Sequence, residues 1–143
     1  MSDVLLGTVV VPVASPDDAR VTATALDEYV DDIDRVTVVH VIERSGAPPE
    51  ETGEEGRTGV SDEALAAFET AFDGSDVEGR RVYSTDVVDG ILDVAAEVGA
   101  TAVVFTPREG GRLVRYLSGD VALRLVTEAP IPVISLPRSD AEA

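Results

Sequence analysis

Residues 8–18 read TVVVPVASPDD, and this stretch decides the architecture. The β-branched run over 8–13 is continuous rather than alternating, which predicts a strand that is buried on both faces of a sheet. Ser15 and Pro16 then begin a helix, since they supply an N-cap hydroxyl and a proline at the first helical position, and two aspartates follow in the first turn. A buried strand that leads directly into a capped helix indicates a parallel sheet.

The same alternation continues along the chain and predicts a single α/β domain over 1–143, with a doubly wound parallel sheet and helices on both faces. Further strands are predicted over 36–42, 79–84, 102–105 and 132–136. Further helices are predicted to start at 61–63, Asp86 and Asp120, with Gly99 ending the one that Asp86 begins and Ala129 ending the last. The remaining segments are predicted to be a long acidic loop over 43–60, a partly helical connection over 106–118 and a frayed tail from Pro137.

Composition excludes several classes of function. The chain of 143 residues has 28 acids, 11 bases that are all arginine and one histidine, so its net charge is −17. Such a chain is repelled by phosphate backbones, so we expect no nucleic acid partner. The absence of cysteine excludes disulfides, thiolate metal ligands and a cysteine nucleophile. Its short apolar runs and its start at Met-Ser-Asp predict no membrane partner and a cytoplasmic location.

The abundance of acid and the lack of lysine also favour a halophile that accumulates salt. Surface carboxylates keep a protein soluble where molar salt screens charge to roughly 3 Å. The alternative is an acidic mesophilic protein. In the halophilic interpretation most of the 28 acids reflect the solvent rather than chemistry.

The turn after the predicted fourth strand is the most informative candidate site. In open parallel sheets, ligands bind beyond the carboxyl ends of strands where the strand order reverses. Adjacent glycines let backbone N–H groups approach an anion, and a helix N-terminus favours negative charge. The alternative is that the arginines pair with nearby acids and the glycines only form a turn. The residues concerned are Arg108, Gly110, Gly111, Arg112, Arg115 and Gly119.

Other polar residues are interpreted structurally. His40 is the only imidazole and lies inside the strand pattern VVHVI, so a packed, hydrogen-bonded core histidine is expected. No spacing indicates a nucleophilic triad, and we therefore predict no catalytic residues. The loop glutamates do not match a calcium loop, so we expect a solvated acidic loop and no metal site. These are Glu50, Glu51, Glu54 and Glu55.

Four segments together carry a family resemblance. They are VVVPV over 9–13, VTVVHVIE over 36–43, DVVDGILDVAAEVGATAVVF over 86–105 and GDVALRLVTEAPIPVISL over 119–136. In order and spacing the chain resembles the universal stress protein family from Thr8 to Leu136. The resemblance implies the strand order 3-2-1-4-5 and a homodimer formed largely through the fifth strands.

The resemblance also locates a nucleotide motif, and this chain departs from it. Nucleotide-binding members carry an acid two residues after the proline of the first strand, which here is Pro12. They also carry glycine, two residues, glycine, nine residues, glycine and then serine or threonine, together with a backbone contact near the end of the second strand. The corresponding positions are Ala14, then Thr106, Glu109, Gly119 and Asp120, and finally Val41.

These departures predict weak ATP binding or none, and no bound cofactor. Ala14 cannot accept a hydrogen bond from a ribose, and Glu109 and Asp120 bring carboxylates to the phosphate positions. One such contact at about 4 Å costs roughly 4 kcal/mol at an effective dielectric of 20. The alternative is a rebuilt site in which Gly110-Gly111 and the arginines bind a nucleotide or another small anion, as a switch or a weak ATPase.

The predicted fifth strand lies at an edge of the sheet and is apolar on both of its faces. An exposed edge of this kind is a liability unless it is covered or paired. Prolines at 132 and 137 keep it short, which favours a closed dimer over a fibre. We therefore expect a homodimer through residues 132–137, centred on Val133, Ile134, Ser135 and Leu136.

Overall fold

A computed structural model describes residues 6–43, 54–72, 76–106 and 119–136. In these ranges five parallel strands form one sheet in the order β3-β2-β1-β4-β5, which confirms the predicted fold. The strands are β1 (Thr8–Pro12), β2 (Arg35–Glu43), β3 (Val77–Ser84), β4 (Ala102–Phe105) and β5 (Val133–Ser135). The helices are α1 (Pro16–Asp27), α2 (Glu54–Ala71), α3 (Val87–Val98) and α4 (Gly119–Glu128), with a 3-10 turn at Val30–Asp32.

The predicted helix boundaries of α1 and α3 rest on caps that the structure contains. Ser15 Oγ accepts the Asp18 N–H at 3.1 Å, and Pro16 is the first residue of α1. Asp86 stands at the N-cap of α3. Gly99 ends α3 in the left-handed region with φ 68°, a conformation that glycine adopts without steric cost. Ser15 and Gly99 therefore cap these helices as expected, whereas Asp86 occupies the N-cap position without a side-chain cap hydrogen bond.

The predicted start of α2 at Ser61–Glu63 is wrong. The helix begins at Glu54, and Ser61 is a fully buried interior residue rather than a cap. The glycines over 54–60 indicated a loop, since each costs about 1 kcal/mol in a helix interior, but packing overrides such a preference. Glu54 and Glu55, assigned to the acidic loop, are therefore the first two residues of α2. The rest of that loop, 44–53, lies outside the described residues.

Other boundaries are shifted by one or two residues. β1 ends at Pro12 rather than at 13, β2 is one residue longer at each end, and β3 begins at Val77 rather than at 79. α4 spans Gly119–Glu128 rather than 120–129, and β5 has three residues rather than five. The Pro132 carbonyl and the Leu136 N–H still bond to β4, so the ladder extends past the strand itself. Residues 107–118 and the tail from 137 lie outside the described residues.

The sheet is covered on both faces. Alternate residues of β1 and β4 contribute to each core, so these central strands are buried on both sides, as the continuous valine run predicted. Full burial of such a side chain contributes roughly 1.5–3 kcal/mol. The face of α1 and α2 includes Val9, Val11, Val36, Val38, Phe68 and Val104, and that of α3 and α4 includes Val10, Val39, Val41, Ile91, Val103 and Leu125. No helix within the described ranges has the length and apolar character to cross a membrane.

Candidate functional site

Strands β1 and β4 separate towards their carboxyl ends. They pair at only two positions, Val9 with Ala102 and Val10 with Val103, whereas β1 stays paired with β2 along its whole length. The strand order reverses between β1 and β4, and a crevice at such a reversal is where open parallel sheets bind ligands. We call this gap the β1–β4 crevice and take it as the candidate site.

Side chains from α1 and β2 form hydrogen bonds with the turn after β1. The Ala14 N–H donates to Asp18 Oδ2 at 2.8 Å, and Asp18 is fully buried. On the other side, the buried imidazole of His40 makes a hydrogen bond with the backbone of Ala14. Ala14 itself is half-buried. Ala14 stands at the position where nucleotide-binding members carry an acid. Its backbone therefore already forms hydrogen bonds within the protein.

His40 is a packed and hydrogen-bonded core residue, as predicted. Burial lowers its pKa below the ordinary value, and the bond to the Ala14 backbone opposes that shift. A bond that favours the protonated ring is one in which the imidazole donates, so the Ala14 carbonyl is its acceptor. The neutral imidazole therefore acts at neutral pH as a fixed donor that supports the turn.

Thr106, which stands at the first glycine position of the motif, lies at the end of β4. Its hydroxyl is 2.6 Å from the hydroxyl of Thr22 on α1, and both residues are almost fully buried. This bond joins residues 84 positions apart. The Thr106 side chain is thus held by α1.

Pro12 and Val41 lie at the predicted places near the carboxyl ends of β1 and β2, and both are buried. The Val41 side chain packs against α3 so closely that a Cβ at Gly90 would approach its Cγ1 to 3.1 Å. The Val41 side chain is thus occupied by packing, and a ligand contact by its backbone stays a prediction.

The remaining predicted site residues belong to the connection between β4 and α4. Gly119 and Asp120 are the first two residues of α4, so Gly119 lies at a helix N-terminus as expected. The others lie outside the described residues, and the proposed anion cradle remains a prediction. They are Arg108, Glu109, Gly110, Gly111 and Arg112.

An ion pair connects α4 to the start of α3. Two nitrogens of Arg124 donate to the two carboxylate oxygens of Asp86 at 2.9 and 2.8 Å, and Arg124 also contacts Glu128. The bonds from Arg124 hold the pKa of Asp86 below its usual range, and they raise the pKa of Arg124. This bidentate pair bridges α4 and the start of α3.

The sequence did not identify Asp18 and Thr22 as residues of the candidate site. Asp18 was interpreted only as one of two first-turn acids, without distinction from the exposed Asp17. The available signal was its place three residues after the N-cap, from which an acidic side chain reaches back to an N–H before the helix. Among the described residues, no group of three or more carboxylates and histidines is arranged to hold a metal ion.

Comparison with models of known families matches this chain to one of them. The model of the universal stress protein family matches residues 6–137. The chain belongs to the universal stress protein family. Comparison with curated proteins finds no match.

Solved structures of similar fold include other members of the family. A universal stress protein from Archaeoglobus fulgidus is 23% identical with a TM-score of 0.66, and the alignment covers 91% of this chain and 98% of that one. One from the same organism, in complex with dAMP, is 25% identical with a TM-score of 0.63 over 91% and 97% of the two chains. A universal stress protein in complex with cAMP is 18% identical with a TM-score of 0.63 over 93% and 98%.

Proposed function

We propose that this chain is a dimeric, cytoplasmic universal stress protein with a regulatory role in the stress response and with a degenerate nucleotide site. It binds ATP weakly or not at all and acts through its surfaces rather than through nucleotide turnover. Its acidic, lysine-free composition suits a cytoplasm of high salt.

The side chain and the hydrogen bonds of Ala14 are the main support for the proposal that ATP binds weakly or not at all. Its methyl group offers no acceptor to a ribose, and its backbone N–H and carbonyl already bond to Asp18 and His40. A ligand that displaced either partner would leave a buried polar group unsatisfied, which costs about 1–3 kcal/mol. At the same crevice, the buried hydroxyls of Thr106 and Thr22 already bond to each other.

Thermal unfolding with ATP and magnesium in molar KCl tests this proposal. A ligand at 100 times its dissociation constant adds about 2.7 kcal/mol to the unfolding free energy. We expect no increase in Tm at millimolar ATP. We also expect affinity to appear when Ala14→Asp, Thr106→Gly, Glu109→Gly and Asp120→Ser are combined. Micromolar ATP binding by the unmodified protein, measured by calorimetry, would defeat the proposal.

A second candidate is a nucleotide- or anion-binding switch, or a weak ATPase, that uses Gly110-Gly111 and the nearby arginines. The family members in complex with dAMP and cAMP favour it. The melting experiment separates the two candidates, since the switch requires a rise in Tm with ATP, AMP or phosphate.

The edge of the sheet supports the proposal of a dimer. Val133 and Ile134 are half-buried and Ser135 is exposed, although β5 pairs with β4 on one side only. Residues 121–137 carry a single acid and a single base, which pair with each other within α4. Elsewhere the acids repel another copy, so a neutral edge is where two copies approach at least electrostatic cost.

Helix α4 carries a second exposed apolar surface. Leu123 is 63% exposed and Val126 is 60% exposed, a high value for large apolar residues. Two positions along a helix lie on nearly opposite sides, so Val126 faces away from Arg124, whose side chain contacts α3. The exposed apolar side of α4 therefore faces away from the ion pair with α3. The proposed interface combines the β5 ladder with these two side chains.

A further inference from the structure

Helix α2 carries two signals for where it begins. Residues 54–60 form its first two turns and include two glycines, which are among the least favourable residues in a helix interior. Ser61 comes next and is followed by two acids, the pattern of an N-cap hydroxyl with a favourable first turn. The same sequence therefore suits a helix from Glu54, which we call the long form, and a helix that starts after Ser61, which we call the short form.

The long form, which the structure contains, leaves the Ser61 hydroxyl unsatisfied. Ser61 is fully buried, and its Oγ forms no hydrogen bond in the part of the chain that the structure describes. A buried polar group without a partner destabilises the conformation that contains it. In the short form this Oγ accepts an N–H of the first helical turn, as Ser15 Oγ accepts the Asp18 N–H in α1. The residue that is unsatisfied in one form is thus the cap of the other.

Contacts with β3 give the direction of α2. A Cβ at Gly79 would stand 3.5 Å from the Leu65 Cβ, and Asp62 Oδ1 accepts from Arg81 at 2.5 Å. The helix therefore runs antiparallel to the strands, with its N-terminus towards their carboxyl ends. His40 is the register neighbour of Arg81 on β2, so the start of the short form lies at the level of His40.

Residues 54–60 extend from this level to the end of β2. Seven helical residues rise about 10 Å, and the strand from His40 to Glu43 spans about the same length. Val38 belongs to the core beneath α1 and α2, so His40 and Ile42 face the same side of the sheet. Both are buried, at 5% and 1% exposure. The first two turns of α2 therefore cover the carboxyl end of β2.

We propose that α2 is a conformational switch that controls access to the carboxyl end of β2. The long form is the major state, and in the minor short form Ser61 caps the helix while residues 54–60 leave the sheet. Opening uncovers Ile42 and His40. Because His40 also bonds to the backbone of Ala14, the switch acts on a side chain that supports the turn at the β1–β4 crevice. It does not depend on whether a nucleotide binds.

Amide hydrogen exchange in molar KCl, followed by NMR, measures the short form in the unmodified protein. In the long form the N–H groups of 58–60 bond within the first turns of α2, and the short form releases them. We expect these amides to exchange about tenfold faster than those of 65–70, which stay helical in both forms. Equal protection of the two segments would overturn the proposal.

Two variants should shift the equilibrium in opposite directions. Gly56→Ala/Gly59→Ala favours the long form and should slow exchange at 58–60 about tenfold. Ser61→Asp favours the short form, because a carboxylate is costly at the buried position and is a good N-cap, and it should speed exchange there. Ala66→Asp adds the same side chain at an exposed position of α2 and should have no such effect.

An unchanged rate in the glycine variant, or equal responses to Ser61→Asp and Ala66→Asp, would overturn the proposal. Protection of 65–70 shows whether Ser61→Asp opens only the first turns or unfolds the protein. If it unfolds the protein, Ser61→Ala decides instead. That variant removes both the unsatisfied hydroxyl and the cap, so it should slow exchange at 58–60, and an unchanged or faster rate would reject the switch.

Trypsin supplies an independent measurement, since it cuts after arginine and the chain has no lysine. Arg57 lies in the segment that the short form releases, whereas Arg20 lies within α1 and is exposed. Mass spectrometry of a limited digest should show cleavage after Arg57 before cleavage after Arg20, and Ser61→Asp should accelerate the first cut alone. Cleavage at both sites at one common rate would contradict a local opening of α2.

Discussion

At the scale of single residues, the bond between Thr22 and Thr106 ties together distant parts of the chain. Both hydroxyls are buried, and each is an acceptor or donor for the other at 2.6 Å. A buried hydroxyl that loses its partner retains its desolvation penalty, whereas the removal of both hydroxyls removes the penalty with the bond. The two threonines should therefore be strongly coupled in stability.

We expect Thr22→Val to lower the unfolding free energy by roughly 1–3 kcal/mol, because Thr106 is left unsatisfied. The double variant Thr22→Val/Thr106→Val should recover most of that loss. Urea unfolding measures both values. Thr127→Val is the matched control, since Thr127 is exposed on α4 and its change should have little effect. Additive losses in the double variant would contradict the proposed coupling.

At the scale of elements, the pair of Asp86 and Arg124 links α4 to the start of α3. Asp86 is the N-cap residue of α3, so its negative charge also lies at the favourable end of the helix dipole. Its pKa is lowered, chiefly by the bonds from Arg124. A carboxyl group with a lowered pKa in the folded state stabilises that state only while it is ionised.

This pair predicts a pH-dependent difference between the unmodified protein and Arg124→Gln. The stability contributed by Asp86 is fully present above its ordinary pKa of about 3.9 and is lost as pH falls through the lower folded value. Urea unfolding at a series of acidic pH values should therefore show the two proteins converging. Glu128→Gln retains the pair with Asp86 and should keep the acid dependence. A difference that stays constant over the same pH range would contradict this role of the pair.

At the scale of the whole molecule, the net charge and the apolar surfaces have opposite effects on the association of two copies. A net charge of −17 repels a second copy, whereas the neutral edge of β5 and the apolar side of α4 favour one. High salt weakens the repulsion between distant surface charges and leaves apolar contacts in place or strengthens them. The proposed dimer should therefore be most stable in molar salt.

Light scattering in molar KCl should show a dimer for the unmodified protein and a monomer for Ile134→Asp. Because Ile134 also packs against the core, the exposed pair Leu123→Asp/Val126→Asp supplies a variant with less risk to the fold. Tyr29→Asp, which changes an exposed apolar residue beyond the end of α1, should remain a dimer. A monomeric unmodified protein, or a dimer that resists both edge variants, would count against the proposed interface.

The sequence predicted the fold well because its signals are local and repeated. The valines of 8–13 and 36–42 and the caps at Ser15 and Gly99 depend on neighbours within a few residues. The start of α2 could not be predicted in this way, because packing of the helix against α1 and β2 outweighs the glycines in its first turns.

The candidate site was predicted only in outline. Strand alternation and the resemblance located the crevice, since both depend on the order of elements. The engagement of Ala14 by Asp18 and His40, and of Thr106 by Thr22, depends on how α1 and β2 lie in space. No periodicity encodes such contacts, because they join residues up to 84 positions apart.

The short pairing between β1 and β4 also has a consequence for how the nascent chain folds. β1 is central in the sheet, yet its partner β4 follows only after β2 and β3, and the bond between Thr8 and Thr101 spans 93 positions. During synthesis β1 can pair with β2 as soon as both have emerged, while its other edge stays open until β4 is made. That edge carries Val9, Val10 and Val11, and an open valine edge invites pairing with another nascent chain. We therefore expect the ribosome-bound intermediate to be prone to aggregation until residues 102–105 have been synthesised.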